Sequence, residues 1–165
     1  ILYAVGGHAG ISGSWLGTLE AYDPVTNTWT TKAPMPTARG DLSVGVVNGL
    51  LYAVGGENGP LAPGTVEAYD PNTNTWSTRA PLATPRAVAG AASVNGTLYA
   101  VAGTDGAVYL NSVEAYDPLL DSWSPRSPLP TDRAWLGAVE LNGLLFAVGG
   151  YANVGGYGAL YAYQP

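Results

Sequence analysis

Cysteine is absent from the 165 residues, and histidine occurs once, as His8. The first absence excludes disulfides, thiolate catalysis, zinc–thiolate sites and iron–sulfur clusters. The second makes any Ser-His-Asp triad depend on His8 and rules out a two-histidine metal site within one chain. Charge is scarce: 11% of residues carry it, against about 25% in an average globular domain. Six residues are basic and twelve acidic, a net charge of −6. That balance argues against nucleic acid and against an anionic membrane surface as partners. No apolar run reaches the about 18 residues of a membrane-spanning helix.

What the chain has instead is turn formers, with 23 glycines and 13 prolines, on a 47% hydrophobic background. It also repeats itself, and repeats of this length decide a fold. Tyr22, Tyr69, Tyr116 and Tyr163 stand 47 residues apart. Trp29, Trp76 and Trp123 keep the same step, as do Arg39, Arg86 and Arg133. LYAVGG, LYAVGG, LYAVAG and LFAVGG begin at Leu2, Leu51, Leu98 and Leu145, so the first repeat carries two extra residues before Tyr22.

Each repeat reads as four short strands. A small, apolar strand follows the arginine: Leu42 to Val47, Ala87 to Val94 and Ala134 to Leu141. Asn-Gly then marks a tight hairpin at Asn48, Asn95 and Asn142, because a type I′ turn needs two residues with φ > 0. LYAV is the second strand and TLEAY, TVEAY, SVEAY or ALYAY the third. Asp-Pro ends the ladder, since proline has no amide proton. A short tryptophan strand closes the unit.

A glycine doublet, then tyrosine, then tryptophan at this period resembles the kelch repeat. The resemblance covers essentially the whole chain, with two departures. Ala102 replaces the first glycine of the third doublet, and the last repeat ends at Pro165 before any tryptophan. It implies an all-β fold of kelch-like β-propeller blades, the post-arginine strand innermost near the axis. We expect one region, 1–165, with blade breaks near 38, 85 and 132, and 14 strands in roughly three and a half blades. The chain would start at a second strand and stop after a third, so one blade cannot absorb both leftover sets. We therefore expect a partial propeller, completed by more chain or by another copy.

The charges separate scaffold from surface. The six basic residues and Glu20, Glu67, Glu114, Asp23, Asp70 and Asp117 all sit at repeated positions and cancel. The net charge rests on Asp41, Glu57, Asp105, Asp121, Asp132 and Glu140. Repeated arginine near repeated glutamate points to ion pairs holding the blades. The alternative is a ring of Arg39, Arg86 and Arg133 facing an anion along the axis. The repeated Asp-Pro is read as a turn, not a metal ligand.

Specificity is expected where blades differ. Segments 8–17, 57–64, 104–111 and 151–158 join second to third strands, and loops on a rigid scaffold commonly carry binding. Trp15, Tyr109, Tyr151 and Tyr157 are the candidate anchors there, with Trp135 near the axis. His8, in the first loop, is read as a solvated or capping residue. No catalytic set, cofactor site or metal site is expected. The copper-oxidase chemistry of some kelch-like folds needs a cysteine-modified tyrosine that this chain cannot make. The favoured function is a binding or scaffold module for a protein partner. The alternatives are a carbohydrate-recognising or carbohydrate-processing propeller and a subunit that self-assembles by edge pairing. Few lysines and no cysteine lean toward an extracellular setting, with a cytoplasmic one as the alternative.

Overall fold

A computed structural model describes residues 1–10, 13–59, 63–153 and 158–165. Among these residues, fourteen strands form four antiparallel sheets in chain order. The first holds β1 (Leu2–Val5), β2 (Leu19–Asp23) and β3 (Thr28–Thr31). The second holds β4 (Ser43–Val47), β5 (Leu50–Val54), β6 (Val66–Asp70) and β7 (Thr75–Arg79). The third holds β8 (Gly90–Val94), β9 (Thr97–Thr104), β10 (Tyr109–Asp117) and β11 (Ser122–Arg126). The fourth holds β12 (Ala134–Leu141), β13 (Leu144–Tyr151) and β14 (Leu160–Tyr163). The outer two sheets are the three-stranded ones, as the repeat register requires.

Successive sheets pack face to face, and the core is three interface layers. Leu19, Leu51 and Tyr69 fill the first, with Tyr3 and Trp76 against them. Tyr52, Val54, Leu82, Leu98 and Tyr116 fill the second; Tyr99, Val101, Leu129, Leu136 and Leu145 fill the third. The strands β4, β8 and β12 lie innermost and touch in sequence. Their small residues permit this approach: a Cβ on Gly90 would lie 2.8 Å from Ala138 Cβ.

Two repeated devices lock blade to blade. The indole N–H of Trp76 donates to Ala33 O (2.8 Å), and that of Trp123 to Ala80 O (2.9 Å). The same linker residues donate their amides to the turn before the tryptophan strand, Ala33 to Asn74 Oδ1 and Ala80 to Asp121 Oδ1, both at 2.9 Å. Asn27, Asn74 and Asp121 all take φ near +50°, which short polar side chains tolerate. Tyr116 also donates to Asp121 Oδ1 (2.6 Å). Burial and that carboxylate hold the Tyr116 phenol well above its usual value. The Tyr116 hydroxyl and the Ala80 amide hold the Asp121 carboxyl below its own.

The second device is the repeated arginine. The backbone carbonyl of Arg39 accepts from the amide of Gly7, just after β1 (3.0 Å). Its guanidinium enters the second sheet, donating to Gly55 O, Ala53 O and the Glu67 carboxylate. Arg86 repeats this between the second and third sheets, reaching Ala102 O, Ser112 O and Glu114 Oε1, the last at 2.5 Å. Both arginines are buried, at 0% and 1% exposure. Their donors face backbone and carboxylate of their own blades, so these two do not present a ring of charge along the axis.

Candidate functional site

Chain direction puts the second-to-third-strand loops and the linkers into each inner strand at one end of the blades. The Asn-Gly and Asp-Pro turns lie at the other. The loop end carries most of what differs between repeats.

Three equivalent positions at the entry to the inner strands, Asp41, Val88 and Trp135, take φ of 51°, 46° and 55°. This left-handed conformation is strained for a β-branched or bulky residue. It is held by bonds that run from blade to blade. The amide of Val88 donates to Asp41 O (2.8 Å) and that of Trp135 to Val88 O (2.9 Å). A kinked backbone thus presents three unlike side chains, an acid, an aliphatic and an indole, at equivalent places near the axis.

Trp135 is 60% exposed and meets Tyr109 edge to face, with ring centroids 5.8 Å apart. Tyr109 also meets Tyr151 at 5.9 Å, so one ring from the third sheet bridges two from the fourth. Tyr151 is exposed as well. Trp15 lies apart from this trio. Its ring packs on His8 of its own loop at 4.1 Å, and His8 Nε2 lies 3.4 Å from Asp41 Oδ2. Tyr157 lies outside the described residues.

The third loop is shorter than expected. Of segment 104–111, Thr104 belongs to β9 and Tyr109 onward to β10. The cause is turn chemistry: Asp105 Oδ1 accepts from the amides of Ala107 and Val108, and Thr104 Oγ1 donates to Val108 O. Tyr109 therefore rides on a strand rather than a long loop, and its ring is correspondingly fixed. Those two amides also hold the Asp105 carboxyl below its usual value.

Arg133 departs from its two repeats. It is 3% exposed, yet position 161, one step after Glu114, is tyrosine. The guanidinium lies 4.8 Å from the centre of the Tyr161 ring and donates to Gly149 O and Thr131 Oγ1. Its Nε has no partner among the described residues. A cation–π contact here replaces the ion pair.

Asp41, Glu57, Asp105 and Asp132 also lie at this end, Glu57 in a bridge with Gly40 and Asp132 accepting from Asn153 Nδ2 at 2.8 Å. Arg39, Arg86 and Arg133 are buried beneath it. The inner part of the face is therefore aromatic and acidic. Among the described residues, no three His, Asp or Glu side chains are grouped to hold a metal ion.

A family model for the Kelch motif matches residues 1–36, 38–83 and 85–130, well over half of the chain. Kelch-like ECH-associated protein 1A of Danio rerio is 43% identical over 60 residues, 35% of this chain and 10% of that protein. Kelch-like protein 7 of Homo sapiens is 45% identical over 49 residues, 30% of this chain and 8% of that protein. The Influenza virus NS1A-binding protein homolog of Mus musculus is 50% identical over 44 residues, 27% of this chain and 7% of that protein. The matched stretches are thus about a tenth or less of these relatives' lengths. The solved structure of YjhT superposes with a TM-score of 0.77 at 20% identity, over 91% of this chain and 49% of that one. That likeness is one of fold. Repeat register, sheet order and family match agree: the chain belongs to the kelch-repeat family and folds as part of a kelch β-propeller.

Proposed function

We propose that this chain is a non-enzymatic binding module whose partner, a protein, docks on the loop end of the third and fourth blades. The observation that carries this is the Tyr109, Trp135 and Tyr151 trio, brought together from two sheets with the Trp135 ring largely in solvent. Amphipathic rings held by rigid strands are the groups that anchor interfaces, because little side-chain entropy is lost when they are covered. The strained Trp135 backbone fits a residue kept for contact rather than for packing. Asp41, Glu57, Asp105 and Asp132 lie at that end, which favours a partner segment that pairs basic residues with an apolar anchor. The names of two relatives, an ECH-associated protein and an NS1A-binding protein homolog, support a binding role for kelch blades.

A phage-displayed library of random peptides, selected on the chain, tests this. The expected result is enrichment of peptides carrying Lys or Arg beside an apolar residue. Their binding should fall about tenfold or more for Trp135→Ala, the loss of one anchor residue. Enriched peptides that bind Trp135→Ala and Tyr109→Ala unchanged would place the partner elsewhere.

A further inference from the structure

The rings of Tyr109, Trp135 and Tyr151 stand at right angles rather than stacked. Trp135 and Tyr151 make interplanar angles of 89° and 85° with Tyr109. Stacking covers a face of both partners, whereas an edge-to-face contact covers a face of only one. The indole of Trp135, 60% exposed, therefore offers π surface to solvent. Val88, the equivalent position with an inner strand on either side, is itself partly exposed, so this position reaches solvent in the middle of the series too.

The charge around these rings is of one sign. Asp105 lies four residues before Tyr109, and Asp132 three before Trp135. Asp132 Oδ2 accepts from Asn153 Nδ2, which ties it to the segment just after Tyr151. Asp105 Oδ1 accepts from the amides of Ala107 and Val108, bonds that keep its carboxyl charged. The neighbouring base, Arg133, is buried with its guanidinium over the Tyr161 ring. Negative ring faces beside two carboxylates attract a cation. A primary ammonium needs acceptors for three N–H donors, and one oxygen of each acid is already engaged. A quaternary ammonium has no N–H to satisfy and lays methyl groups on the rings.

We propose that the trio holds a trimethylated lysine of the partner segment, its quaternary ammonium seated against Trp135 with Tyr109 and Tyr151 beside it. This rests on the loop-end reading and deepens it, since one side chain then supplies both the positive charge and the apolar anchor that the face calls for. Methylation keeps the charge of lysine, so the face distinguishes a marked partner from an unmarked one by hydration and shape.

The probes are N-acetyl-trimethyllysine amide, its unmethylated counterpart, the neutral analogue with tert-butyl in place of trimethylammonium, and choline. Each is titrated into the full chain and followed by the indole N–H resonance of Trp135 and the amide resonances of 105–109. Trimethyllysine should shift both saturably and bind at least about fivefold more tightly than lysine or the neutral analogue, the weight of one cation–π contact. Trp135→Leu should abolish the amide shifts, while Trp135→Phe keeps a weaker response through its smaller ring. Equal binding of the neutral analogue would overturn the proposal, because the site would then read shape alone. Equal binding of lysine would do so by showing ordinary pairing with the acids, and no shift with trimethyllysine would end it outright. Choline binding more tightly than trimethyllysine would assign the trio to a free quaternary amine instead. Library-selected peptides that still depend on Trp135 while the amines fail would leave the docking face standing without the methylated occupant. Peptides indifferent to Trp135 would remove the loop-end reading itself.

Discussion

Removing the carboxylate of Glu114 while keeping its shape should cost more stability than almost any other single change in this chain. Glu114 is 4% exposed and receives Arg86 Nη2 at 2.5 Å, the Ala83 amide at 2.8 Å and the Thr84 amide at 3.0 Å. Burial pulls the Arg86 guanidinium below its usual value, and Glu114 opposes that pull. In Glu114→Gln the arginine charge stays buried, one of its acceptors becomes a donor, and the two linker amides compete for one oxygen. Breaking a buried pair by removing one partner costs about 3–5 kcal/mol. Urea denaturation measures it, since urea leaves ionic strength unchanged. The loss should be nearly independent of salt, because a buried pair is poorly screened. The double variant Arg86→Met with Glu114→Leu should lose less than Glu114→Gln alone, because no charge is left unpaired. A Glu114→Gln loss below about 1 kcal/mol, a value typical of surface pairs, would refute the view that these pairs hold the blades. So would a loss that moderate salt erases.

Other outcomes follow from the same geometry. Gly56 has φ +102° and a Cβ there would lie 2.6 Å from Gly40 O, so Gly56→Ala should destabilise by about 2–4 kcal/mol in the same assay. Val88 is β-branched at φ 46°, so Val88→Asn should raise the urea midpoint, by about 0.5–1 kcal/mol of strain relieved, with the inner ladder intact by amide exchange. The Asp121 carboxyl is depressed in the folded state by Tyr116 and Ala80, so its contribution is complete above the unfolded value of about 3.9 and lost as pH falls through the lower folded one. Asp121→Asn keeps both acceptor bonds, as Asn74 does in the second sheet. It should therefore flatten the acid limb of stability against pH while leaving neutral stability nearly unchanged.

Repetition made the scaffold legible. A fixed step carries strand order and turn chemistry from one blade to the next, so the fourteen strands and the three-stranded outer sheets could be counted from Tyr, Trp and Asn-Gly positions. Ion pairing was legible for the same reason, since Arg39 and Arg86 stand at a constant distance before Glu67 and Glu114. What repetition cannot show is where repeats differ. The strand expected from Ala87 begins at Gly90, whereas the equivalent strand of the fourth sheet does begin at Ala134, although Val88 and Trp135 share the same left-handed φ. The long third loop became a tight hairpin through Asp105, whose side chain caps the turn. Tyr109, Trp135 and Tyr151 were visible as separate aromatic residues, but their meeting depends on packing between sheets. The glutamate lost at Tyr161 was readable from the register alone and marks the one arginine whose setting changes.

In the proposed function, a protein partner covers the loop end of the third and fourth blades. Amide exchange of the chain with a saturating library-selected peptide tests it most directly. Exchange should slow at 105–109, 133–136 and 148–151, with the Asn-Gly turns at 48–49, 95–96 and 142–143 unchanged. Protection at those turns, with none around Trp135, would contradict it.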